Sequence, residues 1–115
     1  MTRKLISREQ GEQYLAALPE SLPMAVRFLL QELQLEHAGG TVELRVPPYG
    51  AIQVIGGLNH RRGTPPNVVE MDPESFIGLA LGTISWSELQ EGGKLGASGS
   101  RADELRNLFP FTAVR

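Results

Sequence analysis

Asn67-Val68-Val69-Glu70-Met71-Asp72-Pro73-Glu74-Ser75-Phe76 is the stretch on which the fold turns. Its first half reads as a strand, with β-branched and apolar residues interrupted by a single charge. Its second half opens a helix abruptly. Asp72 is placed to cap it, Pro73 fits the first turn, and Glu74 lies near the positive end of the helix dipole. Phe76, Leu79 and Ala80 then share one face until Gly82 ends the run.

Upstream, the period changes once. In Thr41-Val42-Glu43-Leu44-Arg45-Val46, apolar and charged residues alternate, as on a half-buried strand. Pro47-Pro48-Tyr49-Gly50 predicts a turn and residues 51–55 a second strand, together a hairpin. Before them the period is helical. Residues 7–18 predict a helix capped by Ser7, with Gln10 in the reciprocal position and Pro19 as its stop. Ser21 is expected to cap a second helix, with Pro23 in its first turn. Leu22, Val26, Leu29, Leu30 and Leu33 form its apolar stripe, and His37-Ala38-Gly39-Gly40 its end.

Downstream, Ser85 and Glu88 bracket a capping box for a short helix ending at Gly92-Gly93. Residues 94–98 predict a short strand. Ser100 is expected to cap a last helix carrying Leu105, Leu108 and Phe109 before Pro110. The order is helix, helix, strands, helix, helix, strand, helix. It implies an α+β fold in which a small sheet is packed against helices. Residues 1–115 are expected to form a single domain, with helices over 1–40, strands over 41–71, and helices plus one strand over 72–115.

The composition narrows the function. The chain has 115 residues, close to the commonest domain size, and no cysteine. That excludes disulfides, a thiolate nucleophile and cysteine-ligated metal, and it fits the reducing cytoplasm. A formal net charge of −2 gives no field toward nucleic acid or anionic membrane. The first residues, Met1 to Ser7, lack the apolar run of a signal peptide, and no apolar stretch would span a bilayer. The histidines, His37 and His60, are without spaced carboxylates, so no metal site is expected. Ser98-Gly99-Ser100 is not a nucleophile elbow, and the glycines lack nucleotide-binding spacing. Neither catalysis nor a cofactor is expected. Acid–base work would require His60 and Glu70 to converge.

From Val68 to Leu108 the chain resembles the sterol carrier protein family. The resemblance lies in an ordered run: the strand Val68-Val69-Glu70-Met71, then the helix opener Asp72-Pro73-Glu74-Ser75-Phe76, then Leu79-Ala80-Leu81-Gly82-Thr83-Ile84-Ser85-Trp86. Gly93-Lys94-Leu95-Gly96-Ala97-Ser98-Gly99 and the final helix follow. Val46-Pro47-Pro48-Tyr49-Gly50-Ala51 and His60-Arg61-Arg62-Gly63-Thr64-Pro65-Pro66-Asn67-Val68-Val69-Glu70 are similar to segments of small, stand-alone bacterial sterol-carrier-like proteins. The resemblance implies a small, curved, mostly antiparallel sheet covered by helices around an apolar cavity. The chain departs from larger members in having fewer residues between its first strands.

The resemblance implies non-enzymatic binding and transport of a hydrophobic ligand: a lipid, a fatty acid or acyl-CoA, or a sterol-like molecule. The alternative is an accessory protein-interaction domain, related to sterol-carrier-like domains fused to mycothiol-dependent enzymes, with a protein partner and no lipid. Phe76, Leu79, Leu81, Ile84, Trp86, Leu89, Leu105, Leu108, Phe109 and Phe111 are the candidate ligand-binding residues. Two roles fit them, packed core and cavity lining. Phe109 and Phe111 around Pro110 fit either a packed tail or a lid. His60, Arg61, Arg62, Thr64 and Asn67 are candidates for a polar head group, because arginines fork onto carboxylate or phosphate and Thr64 and Asn67 add hydrogen bonds. Their other reading is an exposed charge cluster on a rigid turn.

Overall fold

The computed structural model describes residues 5–57 and 66–111. Ser7 caps the first helix, α1 (Arg8–Ala16), by accepting a hydrogen bond from the Gln10 amide. Gly11 in α1 is buried against the Phe28 ring, where a Cβ would collide. The second helix, α2 (Leu22–Glu36), starts differently from expectation. Ser21 has φ −90° and ψ 13°, which turns its side chain away from the first turn, and its hydroxyl donates to the Tyr14 carbonyl instead. It therefore fastens the end of α1 rather than capping α2. Val26, Leu29, Leu30 and Leu33 are buried as the stripe requires, and Ala25 and Phe28 join them.

The strands are β1 (Ala38–Val46), β2 (Gly50–Val54), β3 (Asn67–Met71) and β4 (Leu95–Ser98), in the spatial order β2-β1-β3-β4. β1 begins three residues earlier than the alternation suggests. The glycine at 39 lets the two strands close up, because a Cβ there would strike the Ile55 backbone. The β1–β2 hairpin is antiparallel, as is β3–β4, but β1 and β3 run parallel. After the hairpin the chain thus passes β1 and returns on its far side.

One face of this mixed sheet carries Val42, Leu44, Val46, Ile52, Val54, Val69 and Met71, all buried. α2 packs against β1 and β2 on that side. The other face carries Glu43, Arg45, Gln53 and Glu70, with Arg45 joined to Glu43 at 2.6 Å and opposite Glu70 in register.

The helix α3 (Pro73–Leu81) starts as read from the sequence. The Asp72 carboxylate accepts the Ser75 amide at 2.7 Å. α4 (Trp86–Glu91) carries both halves of its capping box. The last helix differs from expectation: it is a 3-10 helix, Ala102–Leu108, headed by Arg101 rather than Ser100. The Arg101 amide donates at 2.9 Å to the Asn67 side chain, and that bond sets where the helix begins. The Arg101 guanidinium also donates to Glu104 at 2.6 Å and holds that carboxyl below its ordinary range, against a smaller opposing effect of burial. The depressed value means the pair adds stability at neutral pH that is lost as acid protonates Glu104. The pair is exposed and screened by salt, so the effect is small.

Asn67 is 2 % exposed and both ends of its amide are used. Its Nδ2 donates to the Thr41 carbonyl at 2.9 Å, and its Oδ1 accepts from Arg101. Removing it strands a buried carbonyl and an amide together. Asn67→Ala should lower the unfolding free energy in urea by about 2–4 kcal/mol; a loss below about 0.5 kcal/mol would show that this bridge does not hold the sheet.

Candidate functional site

The site is built where α3 stops. Gly82 takes φ 84°, the left-handed conformation that ends a helix without a Cβ penalty. The amides of Gly82, Thr83 and Ile84 all turn back to the Gly78 carbonyl, at 2.9, 2.9 and 3.2 Å. Ile84 packs so closely over Gly78 that a Cβ there would clash. One residue later, Ser85 begins α4: its hydroxyl accepts the Glu88 amide at 3.1 Å, and Glu88 Oε1 accepts the Ser85 amide at 2.9 Å. Two helices therefore meet at a sharp corner with Ile84 and Trp86 on its inner side.

The third wall comes from the chain beyond the 3-10 helix. Phe109 packs edge-on to Phe76, with ring centroids 6.1 Å apart and planes at 89°, and lies 6.4 Å from Trp86 and 5.8 Å from Phe111. Such aromatic pairs add to the value of burial alone. The Phe111 amide donates to the Ala80 carbonyl at 3.1 Å, so residues 109–111 are packed across the end of α3.

Between these walls lies a cleft of about 340 Å³, open to solvent. Leu79, Ile84, Trp86, Phe109 and Pro110 supply its apolar lining, and Gly82 its floor. Thr83, Ser85, Glu88 and Arg106 supply its polar groups. Arg106 Nη2 donates to Ser87 Oγ at 3.1 Å. Among the described residues the ion pairs are Arg45–Glu43 and Arg101–Glu104, so Glu88 and Arg106 share the cleft without pairing. The Trp86 side chain is buried, and its indole N–H meets no acceptor among the described residues. Nor do those residues contain a cluster of three metal-ligating side chains.

The structure thus sorts the apolar candidates. Leu79, Ile84, Trp86 and Phe109 come together in the cleft, with Phe76 and Phe111 against Phe109. Phe76, Leu79, Trp86, Leu89 and Leu105 are all buried in the core, and Ile84, Leu108, Phe109 and Phe111 pack on it half-buried. Leu81 points away: at 49 % exposure it lies on the solvent side of α3, one position past Ala80 and off the buried face. Of the polar candidates, His60, Arg61, Arg62 and Thr64 lie outside the described residues. Asn67 is buried in the sheet, where its side chain donates to the Thr41 carbonyl and accepts from the Arg101 amide. Arg106, Thr83 and Pro110 were not singled out in the sequence. A lone arginine on a terminal helix carries no pattern, whereas the Ser85–Glu88 pair was legible only as a helix cap.

The family described as bacterial SCP ortholog matches residues 19–111, a span that takes in α2, the whole sheet and every wall of the cleft. The chain belongs to that family. This agrees with the sterol-carrier-like resemblance of the sequence and with the α+β architecture. A search of the curated proteins finds no match. No helix among the described residues is long and apolar enough to cross a membrane.

The sorting of leucines is directly measurable. Leu79→Ala, at 2 % exposure, should cost about 2–4 kcal/mol in chemical unfolding. Leu81→Ala should stay within about 0.5 kcal/mol of the parent, and equal costs at the two positions would overturn this placement.

Proposed function

We propose that this SCP-family chain reversibly binds a hydrophobic ligand, lipid-like in character, in the cleft at the α3–α4 corner, with no covalent step. The supporting observation is the cleft itself. It combines five apolar lining residues with four polar ones, and its volume is within the roughly 300–1,000 Å³ usual for small-molecule sites. At about 340 Å³ it lies near the small end of that range, which favours a short acyl chain or a compact apolar body over a whole sterol. The central core of the sheet and α2 is densely occupied by Phe28, Leu29, Leu33, Leu44 and Phe76, all fully buried. The cargo is therefore assigned to the surface cleft and not to the space beneath the sheet.

Carriage in the cytoplasm, with the chain acting as one unit, completes the reading. Binding to an open cleft suits transport, because uptake and release need only small movements of the 109–111 strap rather than an opening of the core. The rival reading, an accessory domain that binds a protein and no lipid, predicts that nothing apolar travels with the chain.

Native mass spectrometry of the freshly purified protein decides between them. A reproducible apolar adduct of defined mass is expected. Thr83→Phe, which places a ring in the cleft from an exposed position, should remove that adduct while leaving the unfolding midpoint nearly unchanged. A bare parent chain that also fails to bind fluorescent fatty-acid probes would refute carriage.

A further inference from the structure

We infer that the Phe109 ring is a fixed stop that limits how much of an apolar chain the cleft can take out of water, which makes Phe109 the size-determining residue of the site; this rests on the binding reading just proposed. Three observations carry it. First, the ring stands between the cleft and the aromatic core. Phe109 lines the cleft, whereas Phe76, which it meets edge-on at 6.1 Å, is fully buried and is not among the lining residues. Second, the backbone on either side of the ring is held. The Phe109 amide donates to the Arg106 carbonyl at 3.2 Å, and the Phe111 amide donates to the Ala80 carbonyl at 3.1 Å. Third, Trp86 and Phe111 lie 6.4 and 5.8 Å from the ring, so with Phe76 three aromatic neighbours bear on it.

A chain entering an open cleft gains affinity for every methylene that leaves water, about fourfold each. The gain ends where the wall ends. Beyond a fixed stop, added methylenes turn back into solvent and contribute nothing. A cleft of about 340 Å³ closed by such a stop therefore imposes a ceiling on tail length, not a steady rise of affinity. Removing the ring opens the cleft toward Phe76 and Trp86. An apolar cavity left by a deleted side chain stays dry and accepts apolar guests, so the ceiling then moves to longer chains. The stop acts on the tail alone, whatever head group the ligand carries.

Hexanol, octanol, decanol and dodecanol, which differ only in chain length, are titrated calorimetrically into the parent, Phe109→Ala, Phe109→Leu and Phe111→Ala. Phe111 packs on Phe109 but is not among the lining residues, so Phe111→Ala loosens the strap without removing the stop. In the parent, affinity is expected to climb from hexanol and level off before dodecanol. In Phe109→Ala the climb should continue, leaving dodecanol about tenfold tighter than in the parent. Phe109→Leu keeps apolar bulk and guards against loss of the fold; it should move the ceiling less, in the same direction. Phe111→Ala should level off where the parent does. An unchanged ceiling in both Phe109 variants, or a parent that climbs steadily to dodecanol, would overturn Phe109 as the stop while leaving an apolar site. A ceiling that moves equally in Phe111→Ala would do the same. No binding of any alcohol by the parent would overturn the carriage reading and the stop with it.

Discussion

The amide of Asn67 ties together three parts of the chain that are far apart in sequence. Nδ2 holds the Thr41 carbonyl at the edge of the β1–β3 pairing, and Oδ1 holds the Arg101 amide at the head of the 3-10 helix. Parallel strands cannot be joined by a tight turn, and the Asn67 side chain adds a cross-brace at the end of the β1–β3 pairing. Gly99 is its counterpart. It sits at φ 103° directly over Asn67 and Pro66, where any Cβ would collide, so the approach to the 3-10 helix runs flush against β3. That path then delivers Phe109 to Phe76 and Trp86. The brace thus acts together with the Phe111–Ala80 hydrogen bond to hold the third wall of the cleft.

The cleft exists because two helices are ended and begun within four residues. The left-handed Gly82 stops α3, and the Ser85–Glu88 box starts α4 at once. Trp86 is still buried in the core and Ile84 packs half-buried against it. The corner nevertheless leaves apolar surface facing outward, and the aromatic group around Phe109 covers only part of it. The inner face of β1 and β2 is covered by α2, and the opposite face of the sheet carries Glu43, Arg45, Gln53 and Glu70. The contrast between a filled centre and a partly covered corner makes that corner the candidate site.

Much of this was legible in the sequence, and what was legible is local. Asp72, Gly82 and the Ser85–Glu88 box act on backbone groups within a few residues, so their spacing alone identifies them. The alternation in β1 and the stripe of α2 likewise report which side is buried. What escaped depends on distant partners. The parallel pairing of β1 with β3 is decided by long-range packing. Asn67 resembles any polar residue at the start of a strand until Thr41 and Arg101 are seen beside it. Ser21 looks like a cap until the Tyr14 carbonyl takes its hydroxyl, and Ser100 looks like one until Arg101 proves to begin the helix. Leu81 follows the apolar run of α3 yet falls on its wet side. The four apolar residues of the cleft that sequence reading named were found as generic hydrophobic residues, whereas Arg106 had no local signature at all.

The most direct test of the central claim is an NMR titration of the protein with a lipid-like amphipath, followed at the Trp86 indole N–H. As the chain has a single tryptophan, that proton gives one side-chain resonance of its kind. Occupancy of the corner cleft predicts a saturable shift of this resonance together with the amides of residues 79–86 and 106–110, while the amides of β1 and β2 stay in place. Shifts that saturate on the sheet and leave Trp86 unmoved would contradict the account and place the ligand elsewhere.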